Sequence, residues 1–275
     1  MSNLKILVEK SIQDLLSNTL SDKKMKTLKQ KHDNKVHFIP YKYRILGGLL
    51  QSLNIQFGNF IETLIPKIAL EEKNARIEFL AESGKKNLQL SINNQTDRLI
   101  DEYMTQRQIN LSYKTFENDF ETFLQAIFES EKNNPSQDNI IVHDLDMLFR
   151  DKTTGKIFYI ELKYTDDHDT GKFININSKF LKTFAGLINY FDIQKLEQIQ
   201  PYIYYFNKII KKQNHFIYEE KYILRGSAFF NQFLDCKYEE MDEILTNTVI
   251  YPEIMKLMND SFQNALLLNP KLNLL

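Results

Sequence analysis

The chain has 275 residues, 43% of them hydrophobic, enough for one large domain or two small ones with a buried core; eight Gly and six Pro leave little room for long flexible linkers. A formal charge of −1 argues neither for nor against a nucleic-acid partner, because carboxylates that hold metal ions offset a basic surface elsewhere. One cysteine, Cys236, excludes an internal disulfide and a clustered zinc site and points to a reducing, cytoplasmic setting; no apolar run reaches the roughly 18 residues of a membrane span, and the first residues lack the apolar core of a secretory signal, so no membrane partner is expected.

In chain order, residues 4–20 place Ile6, Leu7, Ile12, Leu15 and Leu16 at the spacing of an amphipathic helix. Lys23, Lys24, Lys26, Lys29 and Lys31 follow as a local positive segment, read either as a solvated helix face or as a phosphate contact. Residues 44–70 show helical periodicity through Leu46, Leu49, Leu50, Leu53, Phe57, Phe60, Ile61 and Leu64, with Gly58 inside it. A mid-helix glycine costs about 1 kcal/mol against alanine, so Gly58 is expected to admit another backbone closely. Residues 71–130 read as helical, with a polar break at Ser91 to Thr96, and Glu131 to Asp138 reads as a turn.

The character then changes. Asn139 to Arg150 and Lys156 to Tyr164 are rich in β-branched and aromatic residues, and Asp151 to Gly155 has turn chemistry, so the three form a β-hairpin. Residues 176–195 return to a helical pattern, 201–207 reads as a buried strand, 221–225 as a short strand, and 227–270 as helical. The organisation expected is a helical, basic segment over 1–40, a core over 41–235 with a helical insertion near 71–130, and a C-terminal helical segment over 236–275.

The hairpin carries the chemistry. With Asp151 opposite Lys156, Asp146 falls opposite Glu161 and Asp144 opposite Lys163, and strand alternation puts Glu161 and Lys163 on one face. Ile160 and Leu162 point the other way. Three carboxylates and a lysine then share a surface. Two like charges about 4 Å apart repel by roughly 4 kcal/mol at an effective dielectric near 20. A divalent cation converts that penalty into binding energy, and an all-oxygen set suits Mg²⁺, with Mn²⁺ able to replace it. Asp146 and Glu161 are the expected ligands, joined by the Leu162 carbonyl, and the compact charge of Lys163 suits a developing negative charge on a phosphate. The alternative is a surface hairpin with an Asp144–Lys163 ion pair.

Asp146 followed by Glu161-Leu162-Lys163 resembles the PD-(D/E)xK nuclease superfamily, in which an Asp on one strand precedes Glu-x-Lys on the next by roughly 10–20 residues. Leu145 stands where many members have Pro. Ser52-Leu53, Gly58 and Glu62 match an upstream helical pattern of its restriction endonucleases, and the resemblance gives Glu62 a place at the metal centre. Tyr164 to Lys172 is similar to the loop after the motif in type II restriction enzymes of the HinfI or TdeIII kind. The resemblance covers roughly 44–66 and 139–226. It implies an α/β, restriction-endonuclease-like mixed sheet flanked by helices, a mainly helical N-terminal part, Mg²⁺-dependent cutting of double-stranded DNA, and a homodimer whose two-fold axis matches a palindromic site. Repair or junction-resolving nucleases of the same fold, and non-catalytic DNA-binding relatives, remain alternatives. Lys172, Lys179, Lys182 and Arg225 are candidates for DNA contact, Arg225 at a base edge.

Overall fold

A computed structural model of the protein describes residues 3–33, 35–72, 76–81, 87–109, 116–133, 139–248 and 252–267. In chain order these form α1 (Asn3–Thr19), α2 (Asp22–Asp33), α3 (Tyr41–Glu71), β1 (Ile77–Phe79), β2 (Asn87–Ile92), α4 (Asn94–Ile109), α5 (Phe116–Asn133), β3 (Asn139–Asp144), β4 (Met147–Asp151), β5 (Ile157–Lys163), α6 (Thr170–Tyr190), β6 (Ile199–Tyr205), α7 (Glu219–Tyr222), β7 (Ile223–Arg225), α8 (Ser227–Phe233), α9 (Tyr238–Thr248) and α10 (Pro252–Leu266). They fall into two compact units, one of residues 1–64 and 236–275, the other of 65–235.

The first unit is helical. Its core joins Leu16 and Leu20 of the N-terminal helix region to Leu28 of α2, Ile45 and Leu49 of α3, and Ile254 and Ala265 of α10. Gly58 makes no close approach here: among the described residues, a Cβ at that position would meet nothing within 4 Å. The expected tight contact lies instead in the second unit, at Gly186 of α6, where a Cβ would stand 2.8 Å from the Cβ of Leu90 on β2.

The second unit is built on a five-stranded sheet of order β1-β4-β5-β6-β7. β1, β4 and β5 run antiparallel, and β5, β6 and β7 run parallel. A parallel pair needs a crossover, and α6 supplies it between β5 and β6. β5 is the central strand, and six of its seven residues are buried, because helices cover both faces. On one face Tyr159 stacks on Phe180 of α6 at 5.6 Å. On the other, Phe149, Phe158 and Tyr202 meet Phe233 of α8. Each fully buried aromatic of this kind contributes roughly 1.5–3 kcal/mol.

Three expectations change. The stretch 71–130 contains two strands besides α4 and α5. β2 alternates Leu90 and Ile92, both buried, with Gln89 and Ser91, but its partner β3 lies some fifty residues on, so the pairing is non-local. Asn93 then starts α4 by accepting the Thr96 N–H at 2.7 Å. Asn139 to Arg150 is two strands rather than one, broken at Leu145-Asp146, with β3 in a separate two-stranded sheet. The segment after Lys221 is half helix, since α7 ends at Tyr222 before β7 begins. The turn expected at 131–138 lies mainly outside the described residues; α5 runs to Asn133.

Candidate active site

The β4/β5 hairpin has the register that its turn chemistry implies. Met147 pairs with Ile160 and Arg150 with Ile157, and the Asp151 N–H donates to the Lys156 carbonyl at 2.9 Å. Asp151 fixes the turn: its carboxylate accepts the Thr153 N–H at 2.8 Å and the Arg76 guanidinium at 2.9 and 2.8 Å. Asp146 sits one residue outside the ladder. Its carboxylate accepts the Leu162 N–H at 2.8 Å, so a side chain takes the place of the next main-chain acceptor. That substitution ends the strand and holds the Asp146 carboxylate against β5.

Lys163 closes the group. Its ammonium stands 3.1 Å from Asp146 Oδ2 and 3.1 Å from Glu161 Oε1. It also donates to the carbonyl of Leu162. Glu161 is 1% exposed and lies under α6, whose Lys179 donates to both of its oxygens at 3.0 and 3.1 Å. The Tyr159 hydroxyl donates to Glu161 Oε2 at 3.0 Å. Burial pushes the Glu161 carboxyl up, but the ammoniums of Lys163 and Lys179 more than offset it and hold the group below the usual glutamate range. Burial, with Glu161 beside it, raises the Tyr159 hydroxyl far above the usual tyrosine value, so it stays a donor. His168 is held low by burial first, then by the nearby Lys172 and Lys163.

The expected Asp144–Lys163 pairing does not form. Asp144 ends β3, opposite Asn87 of β2, and is exposed. Among the described residues the centre therefore gathers two carboxylates and two lysines rather than three carboxylates and one lysine. The strand breaks at Leu145-Asp146, with the bend at Asp146, and so leaves Asp144 in β3, outside the hairpin. Among the described residues, no three His, Cys, Asp or Glu side chains form a metal-binding group.

The other candidates divide. Lys179 belongs to the centre, through Glu161. Lys172 lies exposed in the first turn of α6, which Asp169 caps by accepting the Lys172 N–H at 2.9 Å. Lys182 pairs with Asp97 and Asp101 of α4 at 2.6 and 3.0 Å. Arg225 pairs with Asp166, which is fully buried, at 3.0 Å and with Glu219 at 2.6 Å, and it lies over the Tyr205 ring. These contacts suit Lys182 and Arg225 to holding the fold. Glu62 lies half-buried on α3 in the first unit, and its role rests on the sequence pattern alone. Tyr159 was missed, although strand alternation from Glu161 placed it on the same face.

The donor set fits a hard divalent cation. Two carboxylate oxygens and a backbone carbonyl already converge on one positive charge, the Lys163 ammonium, and oxygen ligands of this kind are those of Mg²⁺ and Mn²⁺.

The family described as "Type II restriction endonuclease, HinfI" matches residues 1–249. The type II restriction enzyme HinfI of Haemophilus influenzae is 38% identical over 263 residues, which span 94% of this chain and 96% of that protein. Matched by the family over residues 1–249 and by this relative over 94% of its length, the chain belongs to the HinfI family of type II restriction endonucleases.

Proposed function

We propose that the chain cuts double-stranded DNA by metal-dependent phosphodiester hydrolysis at a centre formed by Asp146, Glu161 and Lys163, with Mg²⁺ as the working ion and Mn²⁺ able to replace it. The observation that carries the reading is the Lys163 ammonium at 3.1 Å from both carboxylates. Asp146, Glu161 and the Leu162 carbonyl would hold the ion, which supplies Lewis-acid polarisation of the phosphate and a lowered pKa of bound water. Glu161 is kept ionised by its two lysines despite its burial, so it is ready to bind a cation at neutral pH. Lys163 places a compact positive charge where negative charge develops on the phosphate oxygens. Tyr159 and Lys179 orient Glu161 from the β5 and α6 sides. Two copies acting as a homodimer would put one such centre on each strand of a palindromic site.

The test is cleavage of plasmid DNA by Glu161→Gln and Lys163→Ala. Both variants are expected to lose cutting with Mg²⁺ while still binding DNA. Wild-type fragment patterns from either one would refute the assignment.

A further inference from the structure

The lysine segment of the sequence is not used by the cutting centre. Residues 22–44 hold seven lysines and Arg44 against Asp22 and Asp33, a net of +6 in a chain whose total is −1. Most of these lysines lie on α2, whose single buried residue is Leu28. Lys23, Lys26 and Lys31 are exposed, and Lys24 and Lys29 half-buried. Among the described residues, no acid pairs with any of the five. Like charges at helical spacing destabilise a helix, so the fold bears this charge with no return from pairing.

Residues 35–44 are tied back to α2 by hydrogen bonds. Arg44 Nη1 donates to the carbonyls of His32 and Lys35, both at 3.2 Å. The Tyr41 hydroxyl donates to Asp33 at 2.5 Å, and the Ile39 N–H donates to His37 Nδ1 at 2.9 Å. Leu28 packs against Gly48 of α3. This frame presents Val36, fully exposed, and Phe38, 93% exposed, at the end of the lysine helix. A hydrogen-bonded turn that shows an aromatic ring and a valine to water, beside lysines that pair with no acid among the described residues, suits a partner that is anionic outside and apolar within.

From this surface we infer that α2 and the 35–39 loop form a second DNA-binding surface, with the lysines on backbone phosphates and Phe38 against the duplex groove. Apolar side chains amid cations are a common way for proteins to engage a groove. The inference rests on DNA as the substrate, but not on which residues cut it.

The test measures binding of the full chain to a duplex without metal, across a salt series, by fluorescence anisotropy. Lys23→Gln, Lys26→Gln, Lys29→Gln and Lys31→Gln are combined in one protein; Gln keeps the helix propensity of Lys. The slope of log affinity against log salt is expected to shrink by roughly 2 to 3, at about 0.9 per phosphate contact, and affinity at physiological salt to fall by about tenfold or more. The thermal midpoint should hold or rise, which shows that the fold survives. An unchanged slope and affinity in the folded variant would overturn the inference. So would Phe38→Ala if sedimentation showed a dimer turned monomer with the slope intact, since the surface would then be a subunit interface. Failure of the cutting-centre reading shows instead as residual cleavage in Glu161→Gln, which this metal-free measurement does not touch.

Discussion

Lys179 on α6 reaches both carboxylate oxygens of Glu161 on β5, at 3.0 and 3.1 Å. The contact couples the helix of the crossover to the strand that carries the centre. It has a consequence for pH. Burial raises the Glu161 carboxyl, and Lys163 and Lys179 together bring it below the usual range. In Lys179→Met one of the two opposing charges is gone, so the pKa rises. In the proposed mechanism Glu161 holds the cation as a carboxylate, so the acid limb of the pH–rate profile should move to higher pH. A variant whose acid limb coincides with that of the wild type would show that Lys179 does not set the charge state of Glu161.

Arg225 offers a contrast between reading a base and holding a fold. It pairs with the fully buried Asp166, whose carboxylate also accepts the backbone N–H groups of Lys211 and Lys212 at 3.1 to 3.2 Å. Arg225→Ala leaves a buried carboxylate short of its cation, a loss of about 3–5 kcal/mol. Chemical denaturation should record that loss. Full stability combined with altered sequence preference would favour a base contact instead.

Gly186 tests the packing of α6 on β2. Alanine is the better helix former by about 1 kcal/mol, yet its Cβ would lie 2.8 Å from Leu90 Cβ and 3.2 Å from Leu90 Cδ1. The clash should win, and Gly186→Ala is expected to lose about 1–3 kcal/mol. An unfolding midpoint equal to or above that of the wild type would mean that β2 yields freely.

Glu131 is fully buried, accepts the Asn93 N–H at 3.1 Å and is hydrogen-bonded by Asn189. Burial raises its pKa above the ordinary 4.5, and its hydrogen bonds only partly oppose this. A group whose pKa is higher folded than unfolded stabilises fully below the unfolded value and loses that contribution as pH rises through the folded one. Glu131→Gln removes the titration. Its thermal midpoint should gain on that of the wild type as pH is raised from mildly acidic to neutral. A constant difference across that range would contradict the raised pKa.

The hairpin and its register are legible in the order of residues along the chain. Turn chemistry at Asp151 to Gly155, between two β-rich runs, leaves one register, with Met147 opposite Ile160 and Arg150 opposite Ile157, because alternation in a strand admits no half steps; Asp146, expected opposite Glu161, lies one residue outside that ladder. Helical periodicity likewise announced α1, α3 and α6. The balance of charges is set by packing between distant elements. Asp144 stays out of the hairpin because the strand breaks at Leu145-Asp146 and Asp146 takes the Leu162 N–H with its side chain. Lys179 and Tyr159 joined the centre because α6 crosses over β5, bringing together residues that no local pattern pairs. β2 escaped the sequence reading for the same reason: a six-residue strand paired to a distant segment is specified by packing, and packing is absent from the order of residues along the chain.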